Sequence, residues 1–168
     1  MAQSLKIGRN LLLASFALAV LVSSALGFSL TAAAAAHEIK VGSLVIKHPW
    51  SRQPPKGGKV AAGFLTIVNT GSEDDRLVSA TAEISDNVQL HDMAMKDGVM
   101  SMFEMKDGIP IPAGATVELK PKSLHIMFIG IKSAPEVGTL IKGTLVFEKA
   151  GSVEIDYEVM DMGAGMTQ

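Results

Sequence analysis

A chain of 168 residues with 15 basic, 17 acidic and no cysteine side chains has the length for one domain of ordinary size that buries a core without covalent staples. The slightly acidic balance argues against nucleic acid as a partner, and the missing thiols exclude disulfides, thiolate metal sites and the His2Cys arrangement of blue-copper carriers. Any soft metal ligand must therefore be one of the ten methionines.

Residues 1–36 read as a signal peptide. Lys6 and Arg9 make a basic start, residues 11–26 an apolar run, and Ala34-Ala35-Ala36 a small-residue cleavage site, with an earlier cut after Gly27 left open. The alternative is an uncleaved anchor, because the apolar stretch is long enough to cross a bilayer. Removing the leader leaves 13 basic against 17 acidic side chains, a net charge of −4.

Residues 37–160 read as one β domain. Residues 38–46 are rich in β-branched side chains and form a strand candidate, which His48-Pro49-Trp50 breaks. Trp50 reads as a core anchor and His48 as a structural hydrogen-bonding residue. Gln53-Pro54-Pro55-Lys56-Gly57-Gly58 is a loop and residues 62–69 a strand. Glu73-Asp74-Asp75 lacks the regular ligand spacing of a calcium loop and reads as a solvated turn. Residues 76–84 resume strand character.

The stretch 90–105, LHDMAMKDGVMSMFEM, concentrates the unusual chemistry. Asp97-Gly98 between two alternating segments is a hairpin signal, because both central turn positions need positive φ. Folding there sets Lys96 against Val99, Met95 against Met100, Ala94 against Ser101, Met93 against Met102 and His91 against Glu104. By alternation, His91, Met93, Met95, Met100 and Met102 share one face, while Val88, Leu90, Val99 and Phe103 share the other. Beyond the Asp107-Gly108 turn, alternate prolines make residues 109–114 an extended edge or loop. Residues 116–119 and 124–129 read as strands. In the second, His125 and Met127 project together, opposite Leu124, Ile126 and Phe128. Residues 139–148 and 152–160 close the domain around Lys149-Ala150-Gly151, and residues 161–168 form a flexible Met/Gly-rich tail. Eight or nine short strands with Gly, Pro and Asp punctuation predict an all-β fold, an antiparallel β-sandwich with Greek-key connections.

His91, Met102, His125 and Met127 thus come from two strand regions as neutral nitrogen and soft sulfur donors, a set that suits Cu(I) better than zinc, calcium or magnesium. Met93, across from Met102, is an auxiliary donor. Met160, Met162 and Met166 in the tail are further candidate copper contacts, and His37 at a new N-terminus is one for Cu(II). No nucleophile and base pair, phosphate loop or paired carboxylates stand out, so an enzyme is not expected. Two other classes stay open: a copper-dependent redox or electron-transfer protein, and a metal-free sandwich that binds partners through its methionines.

The spacing His91, ten residues, Met102, then His125-Ile126-Met127 resembles the periplasmic copper chaperones of the PCuAC type. The twenty-two residues between Met102 and His125 are one more than that motif carries, an extra residue that the Pro/Gly-rich connection absorbs at little cost. The likeness extends through residues 111–121 and 145–151. It implies a cupredoxin-like sandwich in the periplasm that binds Cu(I) through His91, Met102, His125 and Met127. It further implies delivery to the copper site of cytochrome c oxidase, directly or through an assembly factor. A monomer with no stable membrane insertion after cleavage is expected.

Overall fold

The computed structural model describes residues 38–96 and 98–165, and among them there are eleven β-strands and no helix. The expected signal peptide, His37, Asp97 and Met166 lie outside the described residues. The strands are β1 (Glu38–Val41), β2 (Leu44–Arg52), β3 (Val60–Asn69), β4 (Asp75–Ala82), β5 (Asn87–Lys96), β6 (Val99–Glu104), β7 (Ile109–Ile111), β8 (Thr116–Leu119), β9 (His125–Ile129), β10 (Leu140–Phe147) and β11 (Gly151–Met160). Hydrogen bonding runs β6-β5-β9-β3-β2-β11-β10-β4-β7, with β1 added to β2 and β8 to β3. The all-β sandwich expected from alternation is the fold. One pairing departs from the antiparallel pattern: β2 and β11 run parallel over Trp50–Arg52 and Glu158–Met160.

Two local expectations are corrected. The segment 38–46 is a hairpin of two strands, turned at Gly42, whose φ of 55° supplies the left-handed conformation that a Gly-Ser turn exploits. Nor does His48-Pro49-Trp50 end β2. The ladder with β3 slips by a bulge between Lys47 and Trp50, and His48, expected as a structural hydrogen-bonding residue, absorbs it at φ 49° with an exposed side chain.

The core is aliphatic, with Leu44, Ile46, Ile67, Leu77, Ile109, Ile111, Phe128 and Leu145 wholly buried. Phe128 of β9 meets Tyr157 of β11 edge to face, with ring centroids 5.3 Å apart. Gly63 of β3 lies beneath this pair, and a Cβ there would fall 2.8 Å from Phe128 Cζ and 2.9 Å from Tyr157 Cε1. Both contacts are rings wedged in the core, so neither can swing aside. Gly63→Ala is therefore expected to destabilise the domain by about 1–3 kcal/mol through overpacking, read as a lowered thermal midpoint; an unchanged midpoint would mean that the two rings are free to move.

Candidate metal centre

Strands β6, β5 and β9 lie side by side, and their registers place the candidate donors. In the hairpin, His91 faces Glu104, Met93 faces Met102 and Met95 faces Met100, the pairing that Asp97-Gly98 predicts. On the other edge of β5, His91 faces His125 and Gln89 faces Met127. Directly opposed residues of an antiparallel pair share a face, so His91, Met93, Met95, Met100, Met102, His125 and Met127 all occupy one side of this three-stranded segment. Ile126 and Phe128 of β9 and Leu90 of β5 point the other way, into the core. Alternation between an aliphatic core face and a donor face is what fixes the register, since a one-residue slip would bury the polar side.

The two imidazoles are immediate neighbours, with ring centroids 5.7 Å apart and planes inclined at 51°. Metal–nitrogen bonds of about 2 Å allow one ion to bridge rings at that separation. Both side chains are buried, His91 at 8% and His125 at 5% exposure. The row continues beyond them: Phe64 of β3 lies 6.5 Å from His125, and Trp50 of β2 lies 4.6 Å from Phe64.

Hydrogen bonds fix the protons. His125 Nδ1–H donates to the carbonyl of Ser123 at 2.7 Å, which leaves the lone pair on Nε2. His91 Nε2–H donates to Gln89 Oε1 at 2.8 Å, so its lone pair resides on Nδ1, which is buried and has no partner. A buried acceptor left unpaired costs about 1–3 kcal/mol and calls for a reason; a ligand nitrogen supplies one. Burial first, and the neighbouring His125 second, push the His91 pKa below its ordinary value, against an upward pull from Glu104. His91 is consequently neutral at pH 7, as a metal ligand must be.

The methionines flank this pair. Met127 sits two residues along β9 from His125 and is half-buried, whereas Met102 lies on the outer strand at 47% exposure beside half-buried Met93. Their rows, at Gln89 and Met93 of β5, are four residues apart, about 13 Å along the strand. The imidazoles therefore lie between the two sulfurs, with Met93 as close to His91 along the chain as Met127 is to His125. Among the described residues there is no group of three or more His, Asp or Glu side chains that could hold a metal ion. Gln89, two residues before His91 on the same face of β5, and the Ser123 carbonyl, two residues before His125 in the bend that precedes β9, orient the rings and were missed by sequence reasoning. The tail residues Met160 and Met162 lie elsewhere: Met160 pairs with Arg52, and Met162 lines a shallow cleft with Pro54, Pro55 and Pro135. Ala164 accepts a 2.5 Å hydrogen bond from Arg52 Nη2, and Gly165 packs on the Trp50 indole.

The all-β fold of this chain is that of a PCuAC domain. The copper-bound PCuAC domain from PmoF2 is 33% identical, superposes with a TM-score of 0.64, and is matched over 98% of its length by 74% of this chain. The apo PCuAC domain from PmoF1 is 32% identical at the same TM-score, over 99% of its length and 74% of this chain. The chain belongs to the family described as "Putative lipoprotein LpqE-like", whose model matches residues 44–159. A curated relative, "Putative lipoprotein Lxx21020" of Leifsonia xyli subsp. xyli, is 37% identical over 105 residues, 62% of this chain. The chain spans 63% of that relative's length.

Proposed function

We propose that this domain is a Cu(I) carrier in which His91 Nδ1 and His125 Nε2 hold the ion, with the thioethers of Met102 and Met127 completing the set and Met93 as an auxiliary donor. The observation that carries this reading is the buried, unpartnered Nδ1 of His91 beside a second imidazole whose own lone pair is left free by Ser123. The PmoF2 domain, at 33% identity, is described as copper-bound, which supports the same cargo here. Two neutral nitrogens and two sulfurs favour Cu(I) over Cu(II), and the lack of thiolate keeps the site exchangeable and immune to disulfide formation in an oxidising compartment. That chemistry suits an exported chaperone working in the periplasm as a monomer, and a copper site of cytochrome c oxidase, reached directly or through an assembly factor, is the proposed recipient. The role requires binding and release without turnover. A stable redox-cycling copper centre is disfavoured, because soft donors hold the reduced ion.

The test is anaerobic Cu(I) titration of wild type against His125→Ala plus Met127→Ala. The variant should lose the tight binding event. Equal binding by the two proteins contradicts the ligand assignment.

Proton competition offers a second check. Because His91 is held below its ordinary value of 6.5, protons begin to compete with Cu(I) for its ring nitrogen only in acid below that pH. Glu104 raises that value, so Glu104→Gln should carry the onset of His91 protonation to lower pH. Chelator competition across a pH series measures this, and an upward shift would contradict the sign.

A further inference from the structure

The hairpin continues past the row of Met93 and Met102 to one further pair, Met95 opposite Met100, on the same face. Met95 is 63% exposed and Met100 48%, so neither fills a core. The reverse face of the outer hairpin offers no packing to explain them either, since Ala94, Val99 and Phe103 there are exposed as well. Directly opposed residues have Cβ atoms about 5 Å apart, which lets two flexible thioethers close on a single small soft ion without any backbone change. Successive rows on one face are about 6.7 Å apart, so the Met95–Met100, Met93–Met102 and His91–His125 positions step inward from the exposed tip to the buried imidazoles.

We propose that Met95 and Met100 form a second, outer site for Cu(I), and that the Met93–Met102 row passes the ion from it to the histidine pair. Transfer proceeds by exchange of one thioether at a time. The metal remains Cu(I) throughout, no proton moves, and each sulfur released is replaced by the next donor inward, a thioether at the Met93–Met102 row and then the lone pairs of His91 Nδ1 and His125 Nε2. The direction follows from the donors: two exposed thioethers bind weakly, whereas two buried neutral imidazoles with sulfur neighbours bind more tightly. The outer site stands on its own geometry, while the inward step rests on the reading of His91 and His125 given above.

Methionine methyl NMR during anaerobic titration with Cu(I), and with Ag(I) as a redox-silent analogue, tests both parts. In wild type, the first equivalent should shift the signals of Met102 and Met127 and the second those of Met95 and Met100. Met95→Leu plus Met100→Leu keeps the apolar surface and should bind one equivalent fewer, with slower loading of the inner site from a Cu(I) chelate. His91→Ala plus His125→Ala should lose the inner event and still shift Met95 and Met100. If the leucine variant binds as many equivalents as wild type, or if the Met95 and Met100 methyls never move, the outer site is overturned. If those methyls move while Met102 and Met127 do not, the outer site stands and the histidine reading fails.

Discussion

His91→Ala and His125→Ala are each expected to lower Cu(I) affinity by at least about 100-fold. Losing a partner that merely orients a ligand costs about 10–100-fold, and these substitutions delete the ligand itself. The thioethers should behave differently. Met93 faces Met102 directly and lies two residues from His91, so it can replace Met102 when that sulfur is removed. Met102→Leu alone should therefore cost little, Met93→Leu alone little, and the double variant far more than the two together, a coupling that marks a shared role. Met127 has Gln89 and Ala62 as its cross-strand neighbours, neither of them a sulfur donor, and its loss should be felt singly. Competition against a chromophoric Cu(I) chelator reads all six variants. Additive effects of Met93 and Met102 would remove Met93 from the site.

The second large effect lies outside the candidate site, at Asp75. Asp75 was expected in a solvated acidic turn, yet it is buried, and its carboxylate gathers three backbone donors: Arg76 N–H at 2.7 Å and Lys149 N–H at 3.0 Å on Oδ1, and Ala150 N–H at 2.9 Å on Oδ2. It thereby ties the β10–β11 turn to the start of β4. Burial pushes its pKa up, but the donors of Lys149, Arg76 and Ala150, with the Lys149 charge, outweigh it and hold the carboxyl below the ordinary value of 3.8. Asp75→Ala leaves these donors without their acceptor and should cost about 3 kcal/mol, a fall of about 10 °C in thermal midpoint for a domain of this size. Because the folded-state pKa is lowered, the stabilisation is complete above 3.8 and is lost as pH falls through the folded value. The gap between wild type and Asp75→Asn should thus be widest at neutral pH and close below about pH 4. A gap that widens in acid would contradict the sign.

The contrast between these two predictions marks what the sequence made legible. The hairpin register could be read residue by residue, because Asp97-Gly98 sets the fold-back and alternation allows only one assignment of faces. His125 and Met127 were legible for the same reason, with Ile126 and Phe128 marking the core side. What could not be read was non-local. The acceptor role of Asp75 depends on donors 74 and 75 residues away, the direct opposition of His91 and His125 on the β5–β9 ladder comes from strands far apart in the chain, and the parallel contact of β2 with β11 closes the domain end to end. The β1–β2 hairpin was missed although Gly42-Ser43 signals it, because the β-branched run on both sides masks the turn.

X-ray absorption of the protein loaded anaerobically with one equivalent of Cu(I) examines the donor set without recourse to mutation. Two nitrogen and two sulfur neighbours around the metal are predicted. A copper shell without sulfur, or one containing a single imidazole or none, would contradict the assignment of His91, His125 and their flanking methionines as its ligands.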